Sequence, residues 1–311
     1  MQMKSSNNIL LVYSEQSPSA VFLMNGVDDS VATAIMLSIK KDFFSKFFFK
    51  LFLFFHLYKI AVFFRAKKNV RDALKSGAFQ RVVFFDCSPL REYAVFGGLI
   101  KEEQKKIIYF WNPIKYRCAN EKKALMLLNR LKKQDFILKT FEKNDSKNYG
   151  LSFLKSPNRK VRFNRSKEVF DFYFAGLPKG RELLLESLKN SLLKKGFSVK
   201  FIIVRSKDDC VSQEENRANS ENCKCIVDWV SEDYGQNNLS LRSTDALLLE
   251  KKIITNCKAI LDADFYNPSN VFLVKDLNLE GIESFMEKPY ERVSKDIVDS
   301  YEINNWLKMN F

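Results

Sequence analysis

Short apolar runs alternate with longer amphipathic segments in the first half of the chain. The runs predict strands and the amphipathic segments predict helices. The predicted strands are 9–13, 60–64, 81–86, 107–110 and 136–138, and the predicted helices are 28–41, 67–76, 89–103 and 120–133. This alternation is typical of a parallel sheet built from βα units.

The same alternation begins again in the second half. The predicted strands are 169–175, 199–204, 225–227, 252–255 and 271–274, and the predicted helices are 181–195, 239–250, 279–286 and 291–307. Between them, the polar residues 206–222 are expected to form a flexible loop.

A polar, charged stretch at 156–167 separates the two halves and predicts a linker. We expect a first domain at 1–155, a second domain at 168–290 and a C-terminal helix at 291–311; the family resemblance described below implies that the first domain is the acceptor side and that the last helix crosses back to it. The predicted fold class is α/β, with two Rossmann-like domains whose parallel sheets face a cleft. Ligands of such sheets bind at the carboxyl ends of the strands.

Residues 43–64 are rich in phenylalanine and long enough to cross a bilayer, but Lys46, Lys50, His56 and Lys59 interrupt them. A lysine at the centre of a spanning helix costs about 2.5–3.5 kcal/mol, which argues against a transmembrane segment. Two interpretations stay open: buried elements of the α/β core, or a Phe/Lys surface that rests on anionic lipid.

The 311-residue chain has a net charge of +14, which favours anionic partners. A codon bias that enriches Lys together with Phe would also raise this charge. His56 is the one histidine, and the chain has neither a G-x-G-x-x-G nor a P-loop motif. The six cysteines lack metal-site spacing and are expected to be free thiols. No signal-peptide core is found near the N-terminus, so a cytoplasmic location is expected.

Three segments combine polar or basic residues with a strand end or a helix start. Residues 174–181, F-A-G-L-P-K-G-R, precede a Leu-rich helix, where free amides and basic side chains favour phosphate. Residues 236–247 lead into a helix whose first turn holds hydroxyls and a carboxylate. Residues 251–256 and 264–270 add polar groups beside further strands.

These segments carry a family resemblance. With F-x-G-x-x-K-G-R at 174–181, L-S-L-R at 239–242, K-K-I-I-T-N at 251–256 and D-F-Y-N-P-x-N at 264–270, the second half resembles bacterial glycosyltransferases of lipopolysaccharide and surface-polysaccharide synthesis with a GT-B-like architecture. Y-F-W-N-P at 109–113 and T-F-E-K-N-D at 140–145 fit the same family. The chain departs from it at Asn237-Asn238, usually Ser-Gly, and at Asp245, usually Glu.

The resemblance implies a nucleotide-sugar donor held by the second domain and a glycan or lipid-linked acceptor. It implies that Lys179, Arg181 and Arg242 meet the diphosphate or nearby groups and that Asp245 meets the ribose. The residues expected to bind the donor are Lys179, Gly180, Arg181, Gln236, Leu239, Ser240, Arg242, Ser243, Thr244, Asp245, Thr255, Asn256 and Tyr266.

An inverting transferase needs a general base for the acceptor hydroxyl. Three carboxylates near predicted strand ends are the candidates, Glu15, Asp28 and Asp86, and each could instead be a helix cap or a solvated charge. Asp262-Ala263-Asp264 matches the short D-x-D metal motif, but such matches are common by chance. We therefore expect no metal site and no cofactor beyond the nucleotide-sugar substrate.

The sequence thus predicts a glycosyltransferase peripheral to the inner face of the cytoplasmic membrane, with an anionic membrane surface as a partner and without nucleic acid. The alternative is a non-catalytic basic protein that binds an anionic membrane or nucleic acid.

Overall fold

The computed structural model describes residues 8–14, 17–37, 39–40, 42–55, 57–85, 90–116, 118, 120–161, 168–206, 209–231 and 238–311. The chain divides into two units: residues up to Leu154 together with Leu307–Phe311 form one, and Lys155–Trp306 form the other. Within the predicted linker, residues 156–161 are described and belong to the second unit, whereas 162–167 lie outside the described residues.

The first unit contains a parallel sheet in the order β2-β1-β3-β4-β5-β6. Its strands are β1 (Ile9–Ser14), β2 (Thr33–Leu37), β3 (Arg81–Phe85), β4 (Lys105–Phe110), β5 (Phe136–Thr140) and β6 (Ser152–Phe153). Residues 9–13 of β1, 82–85 of β3 and 107–110 of β4 are continuous buried apolar runs, as expected for a parallel sheet that is covered on both faces.

The helices of this unit connect the strands and bury one apolar side each. They are α1 (Pro18–Met24), α2 (Phe43–Phe54), α3 (Tyr58–Arg65), α4 (Lys68–Lys75), α5 (Leu90–Gly97), α6 (Glu121–Lys132) and α7 (Lys143–Tyr149), and a 3₁₀ turn covers Ile114–Tyr116. In α6, the side chain of Asn120 accepts a hydrogen bond from Lys123 N, which caps the helix, while Ala124, Leu128 and Leu131 enter the core. Local capping and apolar spacing therefore agree with the tertiary packing.

The second unit contains a parallel sheet in the order β11-β10-β9-β7-β8. Its strands are β7 (Phe170–Gly176), β8 (Val199–Ile203), β9 (Cys223–Asp228), β10 (Lys252–Thr255) and β11 (Val271–Leu273). Its helices are α8 (Glu182–Lys194), α9 (Gln213–Glu221), α10 (Leu241–Leu249), α11 (Ile282–Glu287), α12 (Lys295–Tyr301) and the start of α13 (Ile303–Asn310), and a 3₁₀ turn covers Lys258–Asp262.

Alternate residues of β7 enter two different cores. Phe172 and Phe174 pack with Leu185 and Leu188 of α8 on one face of the sheet. Tyr173 packs on the other face with residues of α10. Both faces are thus covered, and the prediction of an α/β fold with two parallel, Rossmann-like sheets is confirmed.

Three secondary-structure predictions for single segments were wrong. Residues 60–64 form α3 rather than a strand, because helical spacing brings Ala61 and Val62 into the core. Residues 33–37, within a predicted helix at 28–41, form β2, which pairs in register with β1. The polar segment 206–222 contains α9, which Ser212 caps and which buries Arg217. In each case, a tertiary contact outweighs the local pattern.

The predicted helix at 291–307 is divided into α12 and α13 at Glu302. The backbone of Asn158 lies between them: Asn158 N donates to Tyr301 O at 2.8 Å, and Ile303 N donates to Asn158 O at 2.9 Å. These bonds take a carbonyl and an amide that a continuous helix would pair internally.

The last five residues, Leu307–Phe311, belong to the first unit. Lys139 Nζ donates to Asn310 O at 3.0 Å and lies 4.7 Å from the centre of the Phe311 ring. Across the described ranges, no helix has the length and apolar character needed to span a bilayer. The cysteines of this described part, Cys118, Cys210, Cys223, Cys225 and Cys257, are free.

Candidate functional site

The order of the second sheet fixes where a ligand site is expected. The chain moves from β7 to β8 on one side and from β9 outwards to β11 on the other, so the direction reverses between β7 and β9. Ligands of doubly wound sheets bind beyond the carboxyl ends of the strands at this reversal. Here, those ends are Gly176 and Asp228.

Asp228 ends β9 and is completely buried. Its Oδ1 accepts a hydrogen bond from Ser240 Oγ at 2.6 Å, and its Oδ2 accepts one from Ser243 Oγ. Ser240 also caps α10, because its Oγ accepts a hydrogen bond from Arg242 N at 3.1 Å. One buried carboxylate therefore holds the N-terminus of α10 at the end of β9.

Arg242 reaches from α10 across the end of β7. Its Nε and Nη2 donate to Ala175 O at 3.2 and 3.1 Å, and its Nη1 lies 3.6 Å from Asp228 Oδ1. Its guanidinium carbon lies 4.8 Å from the centre of the Phe174 ring. A Cβ on Gly176 would lie 2.3 Å from Arg242 Nη2, so the guanidinium would have to shift to admit a side chain there.

Arg181 and Lys179 lie in the turn between β7 and α8. Arg181 is buried, with Nη1 donating to Trp229 O and Nη2 to Leu177 O at 3.3 Å. Lys179 and Gly180 both have positive φ, 45° and 76°, which turns the chain into the helix. Arg181 thus holds the loops after β7 and β9, whereas the Lys179 side chain is half-exposed.

These three cations influence one another. Burial, with the neighbouring charges of Arg181 and Arg242, lowers the pKa of Lys179. Burial and the charge of Arg242 lower the pKa of Arg181 to about 10, against the opposing effect of Asp228. Three cations thus interact with one another, only Arg181 and Arg242 among them also interact with Asp228, and the excess positive charge beside two helix N-termini favours an anion.

Thr255 and Asn256, at the end of β10, support the neighbouring loop. Asn256 Nδ2 donates to Val230 O at 3.0 Å, and Val230 N donates to Asn256 Oδ1 at 2.7 Å. Thr255 Oγ1 accepts a hydrogen bond from Cys257 N at 3.0 Å. In this structure, both side chains position the carboxyl edge of the sheet.

Asp245 and Thr244 belong to a second polar cluster on α10. Asn158 Nδ2 donates to Thr244 Oγ1 at 3.1 Å and to Asp245 Oδ1 at 2.9 Å, and Arg217 Nη1 also donates to Asp245 Oδ1. The carboxylate predicted to meet a ribose therefore has two protein partners. Asp245 and Arg242 also line one small pocket with Tyr173.

Sequence analysis missed both partners of Asp245. Asn158 falls in the predicted linker and Arg217 in the predicted loop. The available signal was an Arg in a polar segment that could pair with an Asp on a helix. The sequence spacing of Arg217 and Asp245 does not indicate that pairing.

Three further residues were predicted to bind the donor, and the structure describes two of them. The backbone N–H of Leu239 donates to Asn238 Oδ1 at 2.9 Å, and its side chain packs on the α10 core. Tyr266 precedes β11 and is 38% exposed. Gln236 lies outside the described residues.

Asp264 of the D-x-D segment contacts two side chains of the second unit. Asp264 Oδ1 accepts a hydrogen bond from Tyr301 Oη at 2.7 Å, and its Oδ2 pairs with Lys155 Nζ. In the ranges given above, no group of three or more His, Cys, Asp or Glu side chains could hold a metal ion.

The base candidates lie in the first half of the chain. Asp28 is exposed, and hydrogen bonds from Ser30 keep its pKa below its ordinary value, which weakens it as a base. Glu15 and Asp86 lie outside the described residues, but they follow β1 and β3 in sequence. Those strands are neighbours at the reversal point of the first sheet.

Glu142 was not predicted as a functional residue. It follows β5, is 2% exposed, and its Oε1 accepts a hydrogen bond from Asn144 N at 3.4 Å, while its Oε2 is buried and has no hydrogen-bond partner among the described residues. Burial, together with the nearby charge of Asp145, raises the pKa of Glu142 to about 7. Its position directly after an apolar strand was the available signal.

No protein-family model and no curated protein matches this sequence, but solved structures match its fold. T4 phage BGT, solved with UDP and Mn²⁺, aligns with 97% of this chain and 98% of its own, at 9% identity and a TM-score of 0.51. UDP-GlcNAc 2-epimerase from Methanocaldococcus jannaschii aligns with the same shares, identity and TM-score. The chain shares the fold of both.

S. aureus TarM, solved with Fondaparinux, alpha-GlcNAc-glycerol and UDP, aligns with 78% of this chain and 54% of its own, at 11% identity and a TM-score of 0.44. The chain thus spans about half the length of TarM. The GT-B-like class expected from the sequence is confirmed as a fold by the full-length alignment with T4 phage BGT.

Replacing Arg217 by Gln should destabilise the second unit strongly. The change leaves the Asp245 carboxylate, 17% exposed, without its cation, and breaking a buried ion pair costs about 3 kcal/mol or more. Arg205→Gln is the matched control, because Arg205 is 52% exposed and solvent screens its pairs with Glu182 and Glu186. Urea unfolding measures both variants, and equal losses would show that Arg217 is not a structural partner.

Glu142→Gln should change how stability depends on pH. In the folded protein, the raised pKa keeps Glu142 protonated up to about pH 7, whereas the unfolded chain ionises near its ordinary value of 4.5. Wild-type stability should therefore fall as pH rises from about 4.5 to 7, by about 2–3 kcal/mol from this group.

The Glu142→Gln variant should lack the pH-dependent loss of stability that Glu142 causes. It should therefore be more stable than wild type at pH 8. Thermal unfolding from pH 4.5 to 8 measures it, with the exposed Glu102→Gln as control. Parallel pH profiles for wild type and Glu142→Gln would contradict the assignment.

Proposed function

We propose that the chain is a glycosyltransferase that moves a sugar from a nucleotide-sugar donor to a lipopolysaccharide, capsule or other surface-glycan acceptor at the inner face of the cytoplasmic membrane. The observation that supports this is the group of mutually interacting cations Lys179, Arg181 and Arg242 at the reversal point of the second sheet, where buried Asp228 offsets part of the charge of the two arginines. A diphosphate carries the charge that such a site favours.

The residues of this site have different roles in the proposal. Lys179 and Arg242 bind the diphosphate, and their charge stabilises it as the leaving group when the glycosidic bond breaks. Arg181 and Asp228 position them: Arg181 by holding two loops, Asp228 by fixing the start of α10. Because protein cations take this charge, we propose that transfer needs no divalent metal.

We propose that the general base for the acceptor hydroxyl lies in the first unit. Glu15 and Asp86 are retained because they follow the two strands at its reversal point, and the lowered pKa of Asp28 makes it the weakest candidate of the three. A carboxylate there would take the acceptor hydroxyl proton as the oxygen attacks the sugar carbon.

The equal likeness to UDP-GlcNAc 2-epimerase favours a second candidate, a sugar-nucleotide epimerase. The two functions differ in their products. A transferase releases the nucleoside diphosphate and glycosylates an acceptor, whereas an epimerase converts UDP-GlcNAc without any acceptor. NMR of UDP-GlcNAc incubated with the protein alone, and then with a glycolipid extract, separates them.

Wild-type protein should be stabilised by one nucleoside diphosphate in EDTA. A ligand at about 100 times its dissociation constant adds about 2.7 kcal/mol. The measurement is a thermal-shift series with UDP, GDP, ADP, CMP and UMP, in EDTA and then in Mn²⁺. A folded protein that responds to none of them would overturn the proposed donor site, and a response that requires Mn²⁺ would overturn metal independence.

Arg242→Gln and Lys179→Gln should each weaken binding of that nucleotide about ten- to a hundredfold, because each removes a charge-assisted hydrogen bond to phosphate. Arg205→Gln is the matched control in the same unit and should bind as wild type does. Titration calorimetry measures the affinities, and circular dichroism checks the fold. Unchanged affinity in both site variants would remove these residues from the site.

A further inference from the structure

The helical hairpin formed by α2 and α3 carries the largest group of exposed aromatic side chains in the described residues. Phe43, Phe44, Phe47, Phe54 and Phe55 are between 52% and 78% exposed. Exposed apolar patches of this kind are typical of interaction surfaces. The question is what covers this one.

The hairpin has a well-defined inner side. Phe49 is buried, and Phe48 and Phe52 pack on Phe64 of α3, with ring centres 5.2 and 5.4 Å apart. Arg65, at the end of α3, pairs with Glu92 of α5 at 2.9 Å. The hairpin is therefore anchored to its own unit by its inner side, and the exposed outer rings take no part in that core.

The outer side of α2 forms one stripe. Phe43, Phe47, Leu51 and Phe54 recur at spacings of four, four and three residues, which places them on a single helix face. Across the loop, Leu57, Ile60 and Phe63 add further exposed apolar groups, each about 45% exposed. The apolar surface thus continues from one helix to the next.

Cations border this stripe. Lys46 and Lys50 lie three residues after Phe43 and Phe47, and both are exposed. From residue 43 to 71 the sequence has seven Lys or Arg and neither Asp nor Glu. A surface that joins apolar rings to an excess of cations matches an interface with a negative layer above an apolar interior.

A second copy of the chain fits this surface less well. A symmetric pairing through the hairpin would bring the same cations together, and Asp42 beside them already caps α2 by accepting a hydrogen bond from Ser45 N. Nucleic acid would match the charge but would leave the apolar stripe without an apolar partner.

We propose that the outer face of the α2–α3 hairpin docks on an anionic lipid bilayer, with the rings of Phe43, Phe47 and Phe54 in the acyl–headgroup boundary and Lys46 and Lys50 at the lipid phosphates. The helices have 12 and 8 residues, so each lies along the interface rather than across the bilayer. The inference does not depend on the donor site, which lies in the other unit.

The test is co-sedimentation of the full chain with two kinds of vesicle, one of phosphatidylcholine alone and one that also contains about 30% phosphatidylserine. The phosphatidylserine gives the second kind a negative surface potential. Wild type should bind the anionic vesicles at least about tenfold more tightly than the neutral ones. Raising the salt should weaken binding without abolishing it, because the rings remain inserted.

The triple variant Phe43→Ser, Phe47→Ser, Phe54→Ser should lose binding at least about tenfold and keep its unfolding temperature, since these rings are exposed. The matched control replaces three exposed leucines of the second unit, Leu183, Leu193 and Leu261, by Ser and should bind as wild type does. Lys46→Gln with Lys50→Gln should reduce the preference for phosphatidylserine.

Three outcomes would overturn the proposal: no binding to either vesicle, equal loss in the Phe and Leu triple variants, or a dimer in lipid-free buffer that only the Phe triple variant abolishes. If the Phe variant unfolds, the lysine variant decides, because an unchanged lipid preference there also overturns it. Nucleotide stabilisation is measured without lipid, so failure of either proposal is seen separately.

Discussion

The second unit depends on one buried carboxylate. Asp228 has no exposed surface, and an ionised group in that position is stable only when donors surround it. Two serine hydroxyls and a guanidinium supply them, and all three come from the first residues of α10. The need to satisfy this group therefore fixes where the helix begins and towards which strands its N-terminus points.

That constraint extends to the rest of the edge. Arg242 is held over Phe174 and against Ala175 O, and Gly176 at the end of β7 leaves the space that the guanidinium occupies. Arg181 lies against the same ring from the other side of the turn, 5.6 Å from its centre. The cations are thus fixed by packing before any ligand arrives, and such preorganisation lowers the cost of binding an anion.

The first unit uses its surface differently. Its sheet is covered by helices that bury one side each, and the α2–α3 hairpin buries only the rings that face the unit. The phenylalanine-rich segment therefore has two parts: its inner rings lie in the core, and its outer rings are exposed. Periodicity along α2 separates them, but which stripe faces inward depends on Arg65 and Glu92 and on the strands beneath.

The sequence by itself determined the alternation of strands and helices, the two-part organisation, and the segments that form the edge of the second sheet. These features are local, because apolar runs, caps and glycine turns depend on neighbouring residues. Only the tertiary structure decided that 33–37 is a strand, that 60–64 is a helix, and that Asn158 divides the last helix, since each depends on a partner distant in sequence.

The site shows the same division. The sequence identified Arg242 and Lys179, because they stand beside a strand end or a helix start. It assigned Asp245 to a ribose, whereas the fold brings Arg217 and Asn158 to that carboxylate from segments that looked like loop and linker. It passed over Asp228 and Glu142, whose importance comes from burial, and burial exists only once the sheets and helices have packed together.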